Sequence, residues 1–387
     1  MVLLSSMLYL TNMLCAFVSC QWKWAPTDSY IDGDSLRGRS GRKLSANVTS
    51  HPVVVTASGS VQGYSMGTTS GRRVFAFEGI PYAEPPIGNL RFRAPVPKAP
   101  WLGTLRTMSG TTNCLQLNPM NLGRVLGNED CLYLNIYSPG LPDNLDKPNY
   151  PVVIFLHGGS YYFGGGSEYG PAYLLNKDII LVTISFRQGV LGYLSTGDKE
   201  SPGNYGLKDQ ALAMKWLHEN IDKFGGDPAR VTLMGQSSGG CMVHMHLIAN
   251  KTTHYFQNAA SLSGTAFNHW SWQSREVARS RAVKLAKLFF CPTENTKEMM
   301  ACIRQINSAF IVANVLNLYE LIPLPMILFA PTIEDANDPG SYLTETPEEA
   351  YRRGTVARKP WIVSAVTQEG VMSLYYIVLT RYSMVED

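Results

Sequence analysis

"VTLMGQSSGGCMVHMHLIA", Val231–Ala249, is the stretch from which the rest of the chain can be read. Val231–Met234 is a short, partly β-branched run, suited to a buried strand. Gly235 to Gly239 form a G-x-S-x-G pattern centred on Ser237, and the residues after it read as a helix. Strand, sharp turn and helix together make the setting that holds a serine hydroxyl out at the end of a sheet. Gly235 and Gly239 are expected where that turn leaves no room for side chains. The helix that follows points its amide end at Ser237 and favours negative charge there.

Working outward, "HGGSYYFGGG", His157–Gly166, closes another apolar run, "PVVIFL", Pro151–Leu156. A glycine-rich turn after a strand can offer backbone N–H groups to a developing oxyanion. Joined to the N–H of Ser238, it supplies the donors that acyl transfer needs. "IILVTIS" (Ile179–Ser185) is continuous and β-branched, as strands buried on both faces are. "PVVV" (Pro52–Val55), "LYLNIY" (Leu132–Tyr137), "NAASL" (Asn258–Leu262) and "PWIVSAV" (Pro360–Val366) are further strands. Leu207, Ala211, Met214, Leu217 and Ile221 recur at helical spacing, and a second helical stretch runs from about Arg275 to Phe289. The alternation predicts an α/β fold with a mostly parallel central sheet and helices on both faces. The Pro/Gly density at Gly79–Pro100 predicts an irregular surface loop.

Composition bounds the function. The 387 residues are 45% hydrophobic and 16% charged with a formal net charge of +3, too mild a balance for a nucleic-acid surface. The first twenty residues carry no charged side chain and are mostly apolar, with small residues before Gln21. They read as a signal peptide, residues 21–50 as a flexible N-terminal segment, and 51–387 as the folded domain. No later run is long enough for a membrane span. Export agrees with the cysteines: Cys114 with Cys131 and Cys291 with Cys302 are candidate pairs, leaving Cys241 as a buried thiol. It also makes Asn47 and Asn250 candidate glycosylation sites, each being the first residue of an N-x-T sequon.

"FEGIPYAEPPIGNLRF" (77–92), "EDCLYLNIY" (129–137), "FLHGGSYYFG" (155–164), residues 203–240 and "CPTENTKEMMACIRQ" (291–305) are long, specific stretches. In them the chain resembles the type-B carboxylesterase family, which includes cholinesterases, juvenile hormone esterases and the non-catalytic neuroligins. The likeness runs from about Val53 to the C-terminus. It implies an α/β-hydrolase fold, Ser237 as nucleophile, and Gly159, Ser160 and Ser238 as oxyanion-hole donors. It also implies the disulfides Cys114–Cys131 and Cys291–Cys302 and an ion pair between Arg91 and Glu129. "VSAVTQEG", ending in Glu369-Gly370, matches the family's acid pattern and assigns that role to Glu369.

The base is the departure. The family's histidine follows the acid, and no histidine follows Glu369. His157 belongs to the oxyanion turn, His218 to the outer side of a helix, and His244 and His246 lie along the elbow helix, directed away from Ser237. The chain is therefore expected to lack its C-terminal strands and helices, and as given to be nearly inactive, because histidine both activates the serine and protonates the leaving group. The leading expectation is a secreted serine esterase acting on an uncharged apolar ester. The alternative is a catalytically dead binding or adhesion protein. No tryptophan lies between Cys114 and Cys131, where cholinesterases stack choline, and Gln236 gives a G-Q-S pattern similar to juvenile hormone esterases. The expected partner is a small-molecule ester, and neither metal nor cofactor is expected.

Overall fold

A computed structural model describes residues 51–110, 113–118, 124–142, 149–319 and 327–371. The expected signal peptide, the segment 21–50 and Asn47 lie outside the described residues.

The apolar runs assemble into one eight-stranded sheet. Its strands are β1 (Tyr64–Gly67), β2 (Arg73–Pro81), β3 (Tyr133–Ser138), β4 (Tyr150–Leu156), β5 (Ile180–Ile184), β6 (Gly226–Gln236), β7 (Asn258–Leu262) and β8 (Trp361–Ser364). Their spatial order is β8-β7-β6-β4-β5-β3-β2-β1. From β8 to β5 every pairing is parallel, and from β5 to β1 every pairing is antiparallel. The mostly parallel α/β-hydrolase sheet expected from the sequence is thus built on the β8 to β5 side. All five residues of β5 are buried, which is why its β-branched run is unbroken. The Pro52–Val55 run does form a strand, but in a separate three-stranded sheet.

The two faces are buried unequally. Val152, Ile154 and Leu156 of β4 join Val182 and Ile184 of β5 in the main core. The helices α1 (Tyr205–Asn220) and α2 (Ser238–Ala249) add Leu207, Met214, Leu217, Met242 and Val243 to it. On the other face a smaller cluster gathers Val74, Ala76, Tyr137, Leu175 and Leu181. The expected surface loop at 79–100 needs correction: Ile80, Tyr82, Ala83 and Phe92 are buried in the main core. Tyr82 donates its hydroxyl to the Ser185 carbonyl at 2.7 Å, so an irregular path is held inside by side chains.

Two ion pairs brace this region. Arg91 grips Glu129 through two bonds of 2.6 and 2.7 Å and donates also to the Arg304 and Ile306 carbonyls. Arg187 is 4% exposed and its partner Asp209 fully buried, and two guanidinium nitrogens reach the two carboxylate oxygens at 2.8 and 2.7 Å. Asp209→Ala would strand the guanidinium in the core and should cost about 3–5 kcal/mol. The fall in urea midpoint measures it; a loss below about 1 kcal/mol would mean that water reaches Arg187. Both expected disulfides are present, with Cα–Cα distances of 4.9 Å for Cys114–Cys131 and 5.7 Å for Cys291–Cys302. Cys241 is a buried free thiol, and burial pushes it up to about 12.

Candidate active site

The elbow is built by close approach. Ser237 follows the last residue of β6 and has φ 56° and ψ −124°, a strained conformation for a residue with a Cβ. Its N–H is anchored on the Leu262 carbonyl at 2.8 Å, and its carbonyl accepts from Cys241 N at 3.0 Å. A Cβ on Gly239 would fall 2.1 Å from the Leu156 carbonyl, and one on Gly235 would fall 2.4 Å from Gly239 backbone. Alanine at Gly239 would have to displace the end of β4, and alanine at Gly235 the first turn of α2. α2 therefore starts directly behind the serine. Ser237 is half-buried and Ser238 fully buried.

The glycine-rich turn lies against this elbow: a Cβ on Gly158 would sit 3.1 Å from Ser237 Cβ. Gly159, Ser160 and Tyr161 have φ values of 107°, 57° and 62°. The Gly159 carbonyl accepts from Tyr162 N and Phe163 N, which closes the turn. Among the described residues, the N–H groups of Gly159, Ser160 and Ser238 donate to no backbone acceptor outside helices and strands. Ser238 has a further part that the motif alone does not reveal: its hydroxyl accepts from Tyr161 N at 3.3 Å and ties elbow to turn. The only sequence signal for this is the doubled serine.

Glu369 lies five residues beyond β8 and is exposed. A hydrogen bond from the Ser263 hydroxyl, and a second from Val366 N at 3.0 Å, hold its carboxyl below the usual glutamate range. Ser263 directly follows β7, whose last residue Leu262 accepts from Ser237 N, so Glu369, itself beyond β8, is tied to the chain leaving the strand next to the serine's own.

The seven histidines are all described, and none is hydrogen-bonded to Ser237 or Glu369 among the described residues. His157 stacks on Phe186 at 4.4 Å and bonds the Gly158 carbonyl through Nδ1; burial lowers it to about 4. Nδ1 of His244 accepts from Ala266 N while Nε2 meets the Tyr351 hydroxyl. His246 bonds Tyr342 through Nδ1 and Gln210 through Nε2. Burial lowers His244 to about 4 and His246 to about 3. His218 packs on Tyr255 at the surface.

Asn250 is exposed at the C-cap of α2, with its side-chain oxygen accepting from Thr253. Thr252 of the same sequon is buried against Tyr342 and His246. No single helix among the described residues is long and apolar enough to cross a membrane.

The sequence profile of the carboxylesterase family matches residues 50–386. Esterase FE4 of Myzus persicae is 40% identical over 331 residues, covering 85% of this chain and 57% of that protein. A juvenile hormone esterase of Tribolium castaneum is 38% identical over 335 residues, 84% of this chain and 56% of that protein. Venom carboxylesterase-6 of Apis mellifera is 36% identical over 323 residues, with shares of 83% and 57%. The chain thus spans little more than half the length of these relatives. An elbow built on strand register, a profile match over nearly all the described residues and identities of this size lead to one conclusion: the chain belongs to the carboxylesterase family.

Proposed function

We propose that the protein hydrolyses carboxylic esters through an acyl-enzyme on Ser237, with Glu369 as the acid of the charge-stabilising pair and the N–H groups of Gly159, Ser160 and Ser238 as the oxyanion donors. One observation carries the reading: a half-buried serine at φ 56° stands beside a turn whose Gly159 and Ser160 N–H groups have no backbone acceptor among the described residues. The base is a histidine outside these 387 residues, since all seven in the chain are committed elsewhere or lie at the surface. That last observation favours a second reading, an esterase-like protein that binds its ligand without turnover.

The substrate we propose is an uncharged apolar ester. Support comes from the lack of tryptophan between Cys114 and Cys131, so that no indole there can stack on a cation, and from Gln236 before the serine. Relatives named juvenile hormone esterase and carboxylesterase agree with an ester of this kind. Secretion is part of the proposal, supported by two disulfides and the apolar first twenty residues. The test is to determine the 3′ end of the transcript and the mass of the native protein, then to assay p-nitrophenyl butyrate against butyrylthiocholine. Turnover of the neutral ester, at least about tenfold above the cationic one, is expected. A native protein with a histidine after Glu369 but no turnover of either ester would overturn the enzyme reading.

A further inference from the structure

Gln116 is two residues past Cys114 and only 2% exposed. Its side-chain oxygen accepts from Gly164 N at 2.7 Å. Its side-chain nitrogen donates to the Gly164 carbonyl at 2.9 Å and to the Cys114 carbonyl at 2.8 Å. Both backbone groups of Gly164 are therefore satisfied by one carboxamide, and the network fixes which end of the amide is oxygen. We propose that Gln116 is a positioning residue for ester hydrolysis: by clamping Gly164 it holds the oxyanion turn, and with it the Gly159 and Ser160 N–H groups, in the reactive geometry. The inference rests on the ester-hydrolase reading above.

The turn needs an outside hold. Three consecutive residues, Gly159 to Tyr161, have positive φ, and for Ser160 and Tyr161 each such conformation costs about 1–3 kcal/mol unless its surroundings enforce it. The middle of the turn is held at Tyr161, whose N–H bonds Ser238 and whose carbonyl accepts from Gly189 N. The end is held at Gly164, which folds back over the start: a Cβ there would fall 2.6 Å from His157 Nδ1 and 2.9 Å from the Gly158 carbonyl. Fixing Gly164 thus fixes the two residues that lead into Gly159. Asn113, just before the disulfide, ties the same segment again through Glu168 at 2.7 Å and Ser167 at 2.9 Å. The clamp is anchored to Cys114, and the Cys114–Cys131 bridge limits how far it can move.

The experiment compares the native full-length protein with its Gln116→Met and Gln116→Glu variants on p-nitrophenyl butyrate. Misplaced oxyanion donors should lower kcat about 10–100-fold with KM changed less than about threefold. Affinity for butylboronic acid, whose serine adduct places an oxygen in the oxyanion site, should fall in parallel. Hydrogen exchange in the peptide spanning 157–166 should quicken, while exchange in β7 stays as in the parent. Gln116→Glu keeps the acceptor for Gly164 N–H and loses both donors, so it should fall between the parent and Gln116→Met; it carries the same readouts if the methionine variant does not fold. Unchanged kcat and boronate affinity in a folded variant, or exchange rising equally across the sheet, would overturn the proposal. A parent protein without turnover defeats the ester-hydrolase reading instead, and exchange at 157–166 then still decides whether Gln116 holds the turn.

Discussion

In the 387-residue chain, Ser237→Ala should change ester hydrolysis by less than about tenfold, whereas in a form that supplies a histidine base it should cost about a million-fold in kcat. The contrast follows from how the three groups act. The histidine removes the serine's proton as the acyl bond forms and returns it to the leaving alcohol. Without it the hydroxyl is a weak nucleophile, and what remains is the electrostatic pull of the oxyanion donors and binding, which Ser237→Ala leaves in place. Losses within such a unit are not additive, so the second deletion adds little to the first. The measurement is kcat for p-nitrophenyl butyrate in four proteins: the chain and a histidine-bearing form, each with and without the serine. A large serine effect in the 387-residue chain would mean that one of its own histidines reaches Ser237, and His157, His244 and His246 would each have to leave the bonds described here.

What could be read in advance follows from how local each cause is. The elbow is legible because its tight turn is written within five residues, Gly235 lying against the backbone of Gly239 itself. β7, α2 and the Val231–Met234 half of β6 are legible from their apolar runs, whereas the first half of β6, Gly226–Arg230, is not, because Asp227, Pro228 and the exposed Ala229 and Arg230 carry no buried-strand pattern. β2 is harder. Its residues Val74, Ala76, Phe77 and Ile80 are buried on both faces, while Gly79 and Pro81 inside the strand disguise it as loop. Gln116 could not be read at all, since it meets Gly164 across 48 residues through an amide that leaves no periodic trace. β8 keeps the apolar composition of a strand covered on both faces, yet Ile362 and Val363 are 67% and 52% exposed. Glu369, on the same side of the sheet, is exposed as well.

Acidification should unfold the protein well before its carboxylates protonate. His157, His244 and His246 are all buried, at most 1% exposed, and burial lowers them to about 4, about 4 and about 3. In the unfolded chain each returns to about 6.5. Between those values the unfolded state binds protons that the native state refuses, so stability is full above about pH 6.5 and is lost as pH falls toward about 4. One histidine contributes up to about 1.4 kcal/mol per pH unit in that window, and the three together up to about 4 kcal/mol per unit. Carboxylates held low in the folded state, Glu84 and Glu349 among them, act in the same direction but only near and below their unfolded values of about 4. The interval from about pH 6.5 to about pH 5 therefore belongs to the histidines. Urea midpoints across it should fall steeply, and His246→Gln should remove about a third of the slope, because glutamine takes up no proton where His246 sits between Tyr342 and Gln210. A midpoint that stays level from about pH 7.5 to about pH 5 would mean that the three imidazoles gain water or a counter-charge as they protonate, and the core around α2 would then have to be looser than its packing against β6 and β7 implies.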